Sequence, residues 1–314
     1  MRVASKHSGG QGETDLARLS TEQPNPRSKN LDLKSSLEIV RLMNAEDARV
    51  ARALRPALPH IAQAVDWIAA ALKRDGRLIY VGTGTSGRIA ALDAAECPPT
   101  FNTDPRTVQF IIAGGLKALV GAVEASEDSA QLGRREMAKR KPGKNDVVVG
   151  IAASGRTPFT IAAVEYARRR GAKTVAVTCN RNSPLEKAAH LSIVTEVGPE
   201  IVAGSSRMKA GSAQKMVLNM LSTGAMTRMG YVYGNLMVNV HLKNQKLAHR
   251  GVGILQRAAK IDRAAAEKAL KSARNDVPAA LVMLQAGINL SKAEHALKKT
   301  QGNVRRAIAF ARRD

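Results

Sequence analysis

Residues 77–96 read RLIYVGTGTSGRIAALDAAE, and this stretch decides the fold class. A short apolar run ends in Gly82 and Gly84, and a helical pattern follows it. An apolar run, a glycine-rich turn and a helix in that order predict a βα unit. The stretch therefore predicts one strand of a parallel sheet and the helix that follows that strand.

The same order of elements recurs along the chain. Four further apolar runs read TVQFIIAG, DVVVGIAAS, KTVAVTC and LSIVTEV, with helical segments expected from near Lys117, Thr157 and Pro184. Five strands that alternate with helices predict an α/β fold with a doubly wound, five-stranded parallel sheet flanked by helices. A long helix is expected from Ser206 to about residue 228, with another from Asn235.

The two ends of the chain differ from this central part. Residues 1–19 are polar and glycine-containing, so they predict a disordered N-terminal segment. Two or three helices are expected from Ser36 onward, within a main domain spanning 20–259. Beyond residue 260 the pattern changes to short amphipathic pieces, which predict a small all-helical domain over 260–314.

Charge and cysteine content limit the class of protein. The formal net charge is +23, yet the chain is only 3% aromatic and the basic residues of its last quarter fall singly on helical faces. This pattern favours solvated helices over a nucleic-acid surface, which needs clustered charge and stacking side chains. Cys97 and Cys179 form no metal-ligand spacing, and no signal peptide or membrane-spanning run stands out, so we expect a cytoplasmic protein without a membrane partner.

Two loops carry the chemistry of an anion site. The first is GTGTSGR, Gly82–Arg88, and the second is AASGRTP at 152–158. Glycines admit backbone amides to an anion, hydroxyls donate to it, and a helix N-terminus adds partial positive charge. Each loop alone is also compatible with a tight turn or a helix cap. Together they predict a phosphate site at the carboxyl edge of the sheet.

Acidic residues and a third segment complete the set of candidates. Glu96 lies near the end of the helix after the first loop, and Glu124, Glu127 and Asp128 are expected near the end of the next helical segment. Two carboxylates can divide acid and base roles, although a solvated surface carboxylate is the alternative for each. In GPEIVAGSSRMKAGSAQK, residues 198–215, cationic side chains at a helix start predict a second anion contact or a merely capped helix.

The combined motifs resemble the bacterial N-acetylmuramic acid 6-phosphate etherases, which contain a sugar isomerase (SIS) domain. GTGTSGR and AASGRT resemble phosphosugar loops of that domain, and residues 198–215 resemble a signature shared with glucokinase regulatory protein. LDAAECPPTF, AVEASED and YGNLMVNV extend the likeness, which runs from about residue 21 to 257. The terminal helices resemble the small helical, UBA-like domain that often ends these proteins. Asn239 departs from the pattern, where we expect Asp.

The resemblance implies roles for particular residues. Glu96 matches the proton donor, and Glu127 matches the second catalytic carboxylate, which we expect to be the base. Five positions match the phosphate contacts, namely Thr85, Ser86, Ser154, Gly155 and Thr157. Four others are candidates for the rest of the substrate, with Arg207 or Lys209 on its lactyl carboxylate, namely Glu200, Ser206, Arg207 and Lys209. The implied reaction needs no metal or nucleotide cofactor, and the family pattern implies a homodimer.

Other functions fit part of this pattern. A phosphosugar isomerase also abstracts a proton at C2 of a sugar phosphate, but releases no lactate. A sugar-phosphate-sensing regulator would bind the same ligand without catalysis. A nucleic-acid-binding regulator is favoured by charge alone.

Overall fold

A computed structural model describes residues 19–121, 126–240, 242 and 245–313. In these ranges five strands form one parallel sheet in the order β2-β1-β3-β4-β5. The strands are β1 Leu78–Gly82, β2 Val108–Ile112, β3 Val147–Ile151, β4 Lys173–Thr178 and β5 Leu191–Val194. The predicted five-stranded parallel sheet is therefore confirmed.

The α-helices of the described ranges fall into three groups. Those before the sheet are α1 Ser36–Asp47, α2 Val50–Ala53 and α3 Leu58–Leu72. Those between or after the strands are α4 Gly84–Phe101, α5 Ala130–Lys139, α6 Pro158–Arg169, α7 Pro184–Ala188 and α8 Lys209–Met229. The C-terminal group is α9 Gln245–Ala259, α10 Arg263–Ser272, α11 Val277–Ala286, α12 Leu290–Lys299 and α13 Val304–Ala311.

Both faces of the sheet are buried under helices. In β1, Leu78 and Tyr80 point into one core with α3, α4 and α8, while Ile79 and Val81 point into a second core with α5, α6 and α7. A strand buried on both faces has no polar side, which is why LIYV is continuously apolar. The accessible part of the sheet is therefore its edge, where loops and helix ends meet.

Two local predictions were wrong in position. Between β2 and β3, a 3-10 helix spans Gly115–Leu119, and the α-helix begins only at Ala130. The backbone of Gly114 and Gly115 has positive φ, which breaks the pattern, and Ser129 caps the real start by accepting from the Leu132 amide. Glu127 and Asp128 consequently lie before α5, and Glu124 lies outside the described residues.

The helix expected from Asn235 begins ten residues later, at Gln245. A tight turn replaces it, in which the Tyr233 and Leu236 backbones bond to each other around Gly234, whose φ is +62°. Helix α4 also extends past its predicted end, since Pro98 and Pro99 lie inside its last turn before Phe101.

The C-terminal helices share a buried core of their own. This core draws on α10 to α13, and also on Val238, Val240 and three residues of α9. The predicted all-helical C-terminal region is confirmed, while the boundary at residue 260 and the disorder of residues 1–19 stay predictions, because residues 1–18 lie outside the described ranges. In the described parts, no helix is both long and apolar enough to cross a membrane.

Candidate functional site

The two hydroxyl-rich loops leave the sheet side by side. Strands β1 and β3 are neighbours, with Gly82 in register with Ile151 at their carboxyl ends. The strand order reverses at this point, since β2 lies beyond β1 on one side and β4 lies beyond β3 on the other. Such a switch point opens a crevice at the carboxyl edge of a parallel sheet, where ligands bind.

The first loop places helix α4 directly on the sheet. A Cβ at Gly87 would lie 2.5 Å from Ile112 Cγ1, so only glycine allows this approach. Thr83 is the N-cap residue, but in the described structure its hydroxyl makes no capping bond to α4. The N–H groups of a first helical turn have no partner within the helix. They are suited to an anion at this position.

The second loop is shaped by Gly155, whose φ is +69° and whose added Cβ would lie 2.3 Å from Ser183 Oγ. Ser154 Oγ accepts a hydrogen bond from the Arg156 amide at 3.2 Å, so its own proton can still be donated. Thr157 is the N-cap of α6, and no side-chain cap bond from it is found in the described chain. This loop therefore presents hydroxyls and a helix N-terminus, as the first loop does.

Glu127 is brought to the first loop from a different part of the chain. Its Oε2 accepts a hydrogen bond from Thr83 Oγ1 at 3.0 Å, and its Oε1 lies 3.2 Å from the position of a Cβ on Gly84. Its backbone carbonyl accepts from the Phe159 amide at 3.1 Å, which ties it to the start of α6. Glu127 thus contacts the first loop through its carboxylate and the start of α6 through its backbone.

Glu96 does not join this group within one chain. It is exposed on α4 and lies ten residues beyond Ser86, which corresponds to roughly 15 Å along the helix. There it lines a shallow cavity of about 240 Å³ with Asn219 and Thr223 of α8. The Glu127 carboxylate therefore lies beside the N-terminal end of α4, and Glu96 lies on the C-terminal half of that helix.

Asp93, one turn before Glu96, is a buried carboxylate that the sequence analysis did not single out. It accepts hydrogen bonds from Tyr80 Oη at 2.8 Å, Asn219 Nδ2 at 2.8 Å and Ser222 Oγ at 3.1 Å. Burial raises the pKa of the Asp93 carboxyl, although these donors oppose the shift. Its contacts fix α4 against the sheet and α8, and thereby fix the base of the Glu96 cavity.

The third predicted segment uses most of its polar groups internally. Glu200 accepts from the Lys209 amide at 3.0 Å and the Ala210 amide at 2.9 Å, so it closes the start of α8. The Lys209 ammonium pairs with the buried carboxylate of Glu46. Arg207 is exposed, and Ser206 lies close to the first loop, because its carbonyl and Thr85 Cγ2 both surround Gly211.

Buried charge around Lys209 is well matched. Burial by itself would raise the pKa of the Glu46 carboxyl, but hydrogen bonds from Lys209, Arg49 and Asn25 outweigh it and lower that pKa. Burial raises the pKa of the Glu200 carboxyl despite its two backbone donors. The cluster holds the N-terminal segment, α1 and α8 together beside the loops.

The sequence analysis also did not single out Gln214, although this residue lies within the quoted segment 198–215. It is 1% exposed, and its Oε1 accepts a hydrogen bond from Ser86 Oγ at 2.9 Å. Its Nε2 is buried and has no hydrogen-bond partner in the described residues. The sequence signal that could have identified Gln214 was its position, about one turn into a helix that follows a predicted anion contact.

Two family models match the part of the chain that contains the sheet. The model of the N-terminal SIS domain of glucokinase regulatory protein matches residues 60–168, and the SIS domain model matches residues 128–224. Among solved structures, a phosphoheptose isomerase from Neisseria gonorrhoeae has a TM-score of 0.49 at 18% identity, covering 62% of this chain and 100% of that one. The sheet, its loops and the two matched models define a SIS-domain protein.

Curated relatives narrow the class. The N-acetylmuramic acid 6-phosphate etherase of Aeromonas hydrophila is 50% identical over 288 residues, which cover 92% of this chain and 97% of that protein. N-acetylmuramic acid 6-phosphate etherase 1 of Bacillus licheniformis is 47% identical over 295 residues, covering 94% and 97%. This chain belongs to the N-acetylmuramic acid 6-phosphate etherase family, and the resemblance read from its motifs is confirmed.

Proposed function

We propose that this protein is a carbon–oxygen lyase that cleaves the ether between the lactyl group and C3 of N-acetylmuramic acid 6-phosphate. The products are D-lactate and N-acetylglucosamine 6-phosphate. The observation that carries the proposal is the position of Glu127, whose carboxylate contacts the first of two adjacent anion loops. A base beside a phosphate site can act on a carbon of a sugar whose phosphate is bound there.

Phosphate binding would use both loops. The hydroxyls of Thr85, Ser86, Ser154 and Thr157 and the first-turn amides of α4 and α6 all lie at the carboxyl edge between β1 and β3. The positive φ of Gly155 gives the second loop the backbone shape that would bring it close to the phosphate. Binding a group remote from the reacting carbons would orient them for the chemical steps.

Glu127 would act as the general base. Once the sugar ring opens, the C1 aldehyde acidifies the C2 proton, and the Glu127 carboxylate takes that proton. Expulsion of the lactyl oxygen from C3 then leaves a double bond between C2 and C3. Water adds its oxygen to C3 and a proton returns to C2, which yields the N-acetylglucosamine 6-phosphate aldehyde.

Glu96 would act as the general acid that protonates the lactyl oxygen and later assists the addition of water. Within one chain it lies roughly 15 Å along α4 from the phosphate loop, too far to reach C3 of a sugar held there. We therefore propose a homodimer in which each site combines Glu127 of one chain with Glu96 of the partner subunit. The site would be incomplete in a monomer.

An exposed apolar surface near Glu96 supports self-association. Leu92, one turn earlier on α4, is 53% exposed. Leu116 in the adjoining 3-10 helix is 73% exposed, and Val120, directly after that helix, is 95% exposed. Arg88 joins the two elements by donating to the carbonyls of Leu119 and Gly121. Large exposed apolar side chains grouped on one surface are typical of protein interfaces.

For the lactyl carboxylate, the structure favours Arg207 over Lys209. The Lys209 ammonium is held by Glu46 in the interior, whereas Arg207 is exposed in the loop that precedes α8. Arg207→Ala should raise KM more than it lowers kcat, and Arg207→Lys should recover part of the loss. An unchanged KM would remove Arg207 from the site. With Arg207 in this role, Glu200 and Ser206 would shape the loop that precedes α8.

We also propose that the protein works in a reducing cytoplasm, because Cys97 and Cys179 are both free and buried.

The decisive experiment is a cofactor-free incubation of the purified protein with N-acetylmuramic acid 6-phosphate, with D-lactate release as the measurement. Glu127→Gln and Glu96→Gln should each lower kcat by about 100- to 10,000-fold, since each removes a proton-transfer group. A wild-type protein that binds the sugar phosphate but releases no lactate would instead be a sensing regulator. Conversion of a sugar phosphate without lactate release would indicate an isomerase.

The shared site has its own test. The Glu96→Gln and Glu127→Gln chains are mixed and allowed to exchange subunits. Half of the dimers then carry one chain of each kind, and one of their two sites holds both native carboxylates, so activity should return to about a quarter of wild type. If each site used carboxylates of a single chain, the mixture would stay as inactive as its components.

A further inference from the structure

The hydrogen bond between Ser86 and Gln214 runs in the wrong direction for an anion site. A serine hydroxyl has one proton, and here Ser86 Oγ donates it to Gln214 Oε1 at 2.9 Å. Ser86 can then present only lone pairs to a phosphate oxygen, which is itself an acceptor. The central hydroxyl of the first loop therefore lacks the proton that the anion requires.

The same arrangement leaves Gln214 unsatisfied. Its side-chain NH2 group is buried and has no acceptor in the part of the chain that the structure describes. A buried donor without a partner costs about 1–3 kcal/mol, so a glutamine at 1% exposure is poorly served by this orientation. Both defects lie on one pair of side chains.

Turning the amide over frees the Ser86 proton, while the carbonyl oxygen takes the buried position that the NH2 group held. Gln214 Nε2 would then donate to Ser86 Oγ, and the Ser86 proton would be free for the phosphate. The helix α8 is close enough to act on the loop in this way, because Gly211, one turn before Gln214, lies against Thr85.

We propose that Gln214 is a positioning residue for the phosphate site, and that phosphate binding reverses the Ser86–Gln214 hydrogen bond. In the free protein the amide oxygen holds the hydroxyl proton. In the complex the amide nitrogen supports the hydroxyl oxygen while its proton binds the anion. This inference rests on the proposed phosphosugar site and adds a residue that acts through Ser86.

The first test is Gln214→Glu, measured by calorimetric binding of N-acetylglucosamine 6-phosphate and of inorganic phosphate. An ionised carboxylate can only accept, so it keeps the Ser86 proton, and affinity for both probes should fall about 10- to 100-fold at pH 8. As the pH falls and the new carboxyl becomes protonated, it can donate, and affinity should recover relative to wild type at the same pH. A role in packing alone predicts no such recovery.

The second test is Gln214→Met, which remains informative should the Glu variant fold poorly. Methionine keeps the side-chain length but neither donates strongly nor takes the proton, so the loss should be only a few-fold. In a Ser86→Ala background, Gln214→Met should have no further effect on affinity, because Gln214 acts through that hydroxyl.

Thr174→Val is the matched control. Thr174 is another fully buried polar residue, and its hydroxyl contacts His190 near the amino end of β4, away from the loops. This change should lower stability without changing affinity for either probe. Two results would overturn the role of Gln214. One is wild-type affinity of Gln214→Glu at pH 8. The other is an equal loss of affinity from Gln214→Met in the wild-type and the Ser86→Ala backgrounds. Failure of the wild type to bind either probe would overturn the phosphate site itself, and the role of Gln214 with it.

Discussion

Two helices of this protein begin in loops of similar composition and use their first turns in opposite ways. Helix α8 begins within GSSRMKAG, residues 204–211, and its first amides are already bound by the Glu200 carboxylate. Helix α4 begins in GTGTSGR, and its N-cap Thr83 is turned away toward Glu127. One start is closed by an internal carboxylate, while the other has no side-chain cap from Thr83 and is the start at which we propose that the phosphate binds.

The difference teaches that glycine, hydroxyl and cationic residues at a helix start do not by themselves define an anion site. Both segments have the composition that attracts phosphate. What separates them is whether an internal carboxylate has taken the place of the anion. At α8, Glu200 binds the amides and Glu46 binds the Lys209 ammonium, so that end serves stability.

The largest expected effect comes from breaking the buried Lys209–Glu46 ion pair at the start of α8. Lys209→Met leaves the 1%-exposed Glu46 carboxylate without its buried partner, and should lower the free energy of unfolding by about 3–5 kcal/mol. Chemical denaturation measures this loss. Adding Glu46→Leu to the same chain should restore most of it, since two apolar side chains can replace a buried pair.

The Glu46 contribution should also depend on pH. Its folded pKa lies below the ordinary value of 4.5, so its stabilisation is present above that value and is lost as the pH falls through the lower folded pKa. The difference between wild type and Glu46→Gln should shrink on acidification. If Lys209→Met instead kept full stability and raised KM, Lys209 would belong to the substrate site.

A somewhat smaller loss is expected from Glu200→Ala, because two backbone amides of α8 would lose their acceptor. We expect a loss of about 2–3 kcal/mol in the free energy of unfolding, measured by thermal or chemical denaturation. Glu200→Gln should lose less, since its amide oxygen can still accept one of the bonds. Retained stability in the Ala variant would show that α8 needs no internal cap.

At the open end, the effect should appear in binding. Ser154→Ala removes a hydroxyl whose proton is free to bind the phosphate, and should weaken affinity for N-acetylglucosamine 6-phosphate about 10-fold or more. The free energy of unfolding should change by less than about 1 kcal/mol, as is usual for partly exposed positions. Ser183→Ala is a useful contrast, because Ser183 caps α7 and should affect stability. The reverse pattern would contradict the assignment of the open end.

The smallest effect concerns the far end of α4. Asn239 Nδ2 donates to the Phe101 carbonyl at 2.5 Å, a bond that the Asp expected from the family pattern could not donate when ionised. Asn239→Asp should therefore lower the free energy of unfolding by about 1 kcal/mol and leave phosphosugar affinity unchanged. A gain in stability would mean that Asn239 is not a helix-end anchor.

Sequence reasoning succeeded where the signal was local. The strands were predictable because burial on both faces makes them continuous apolar runs bounded by glycines, and the two loops followed from their position after β1 and β3. It failed for pairs distant in the chain. Lys209 pairs with Glu46, which is 163 residues away, and Gln214 pairs with Ser86, which is 128 residues away. Neither pairing leaves a local pattern in the sequence.

Local rules also failed where tertiary packing overrides them. Pro98 and Pro99 predict a helix end, yet α4 continues through them to Phe101, which is buried in the core. Glycines at 114, 115 and 234 take positive φ and shift two predicted helix starts. The placement of Glu127 beside Thr83 could not be read from motifs, because it depends on how the segment before α5 packs against the first loop.

The place of α8 in the chain has a consequence for folding during synthesis. All five strands and both anion loops leave the ribosome before α8, which buries Val217, Leu218 and Leu221 against one sheet face. Until then that face lacks part of its cover, and contacts over 128 residues form slowly. Because the same helix carries Gln214, the nascent chain cannot complete the proposed phosphate site before this exposed core is closed.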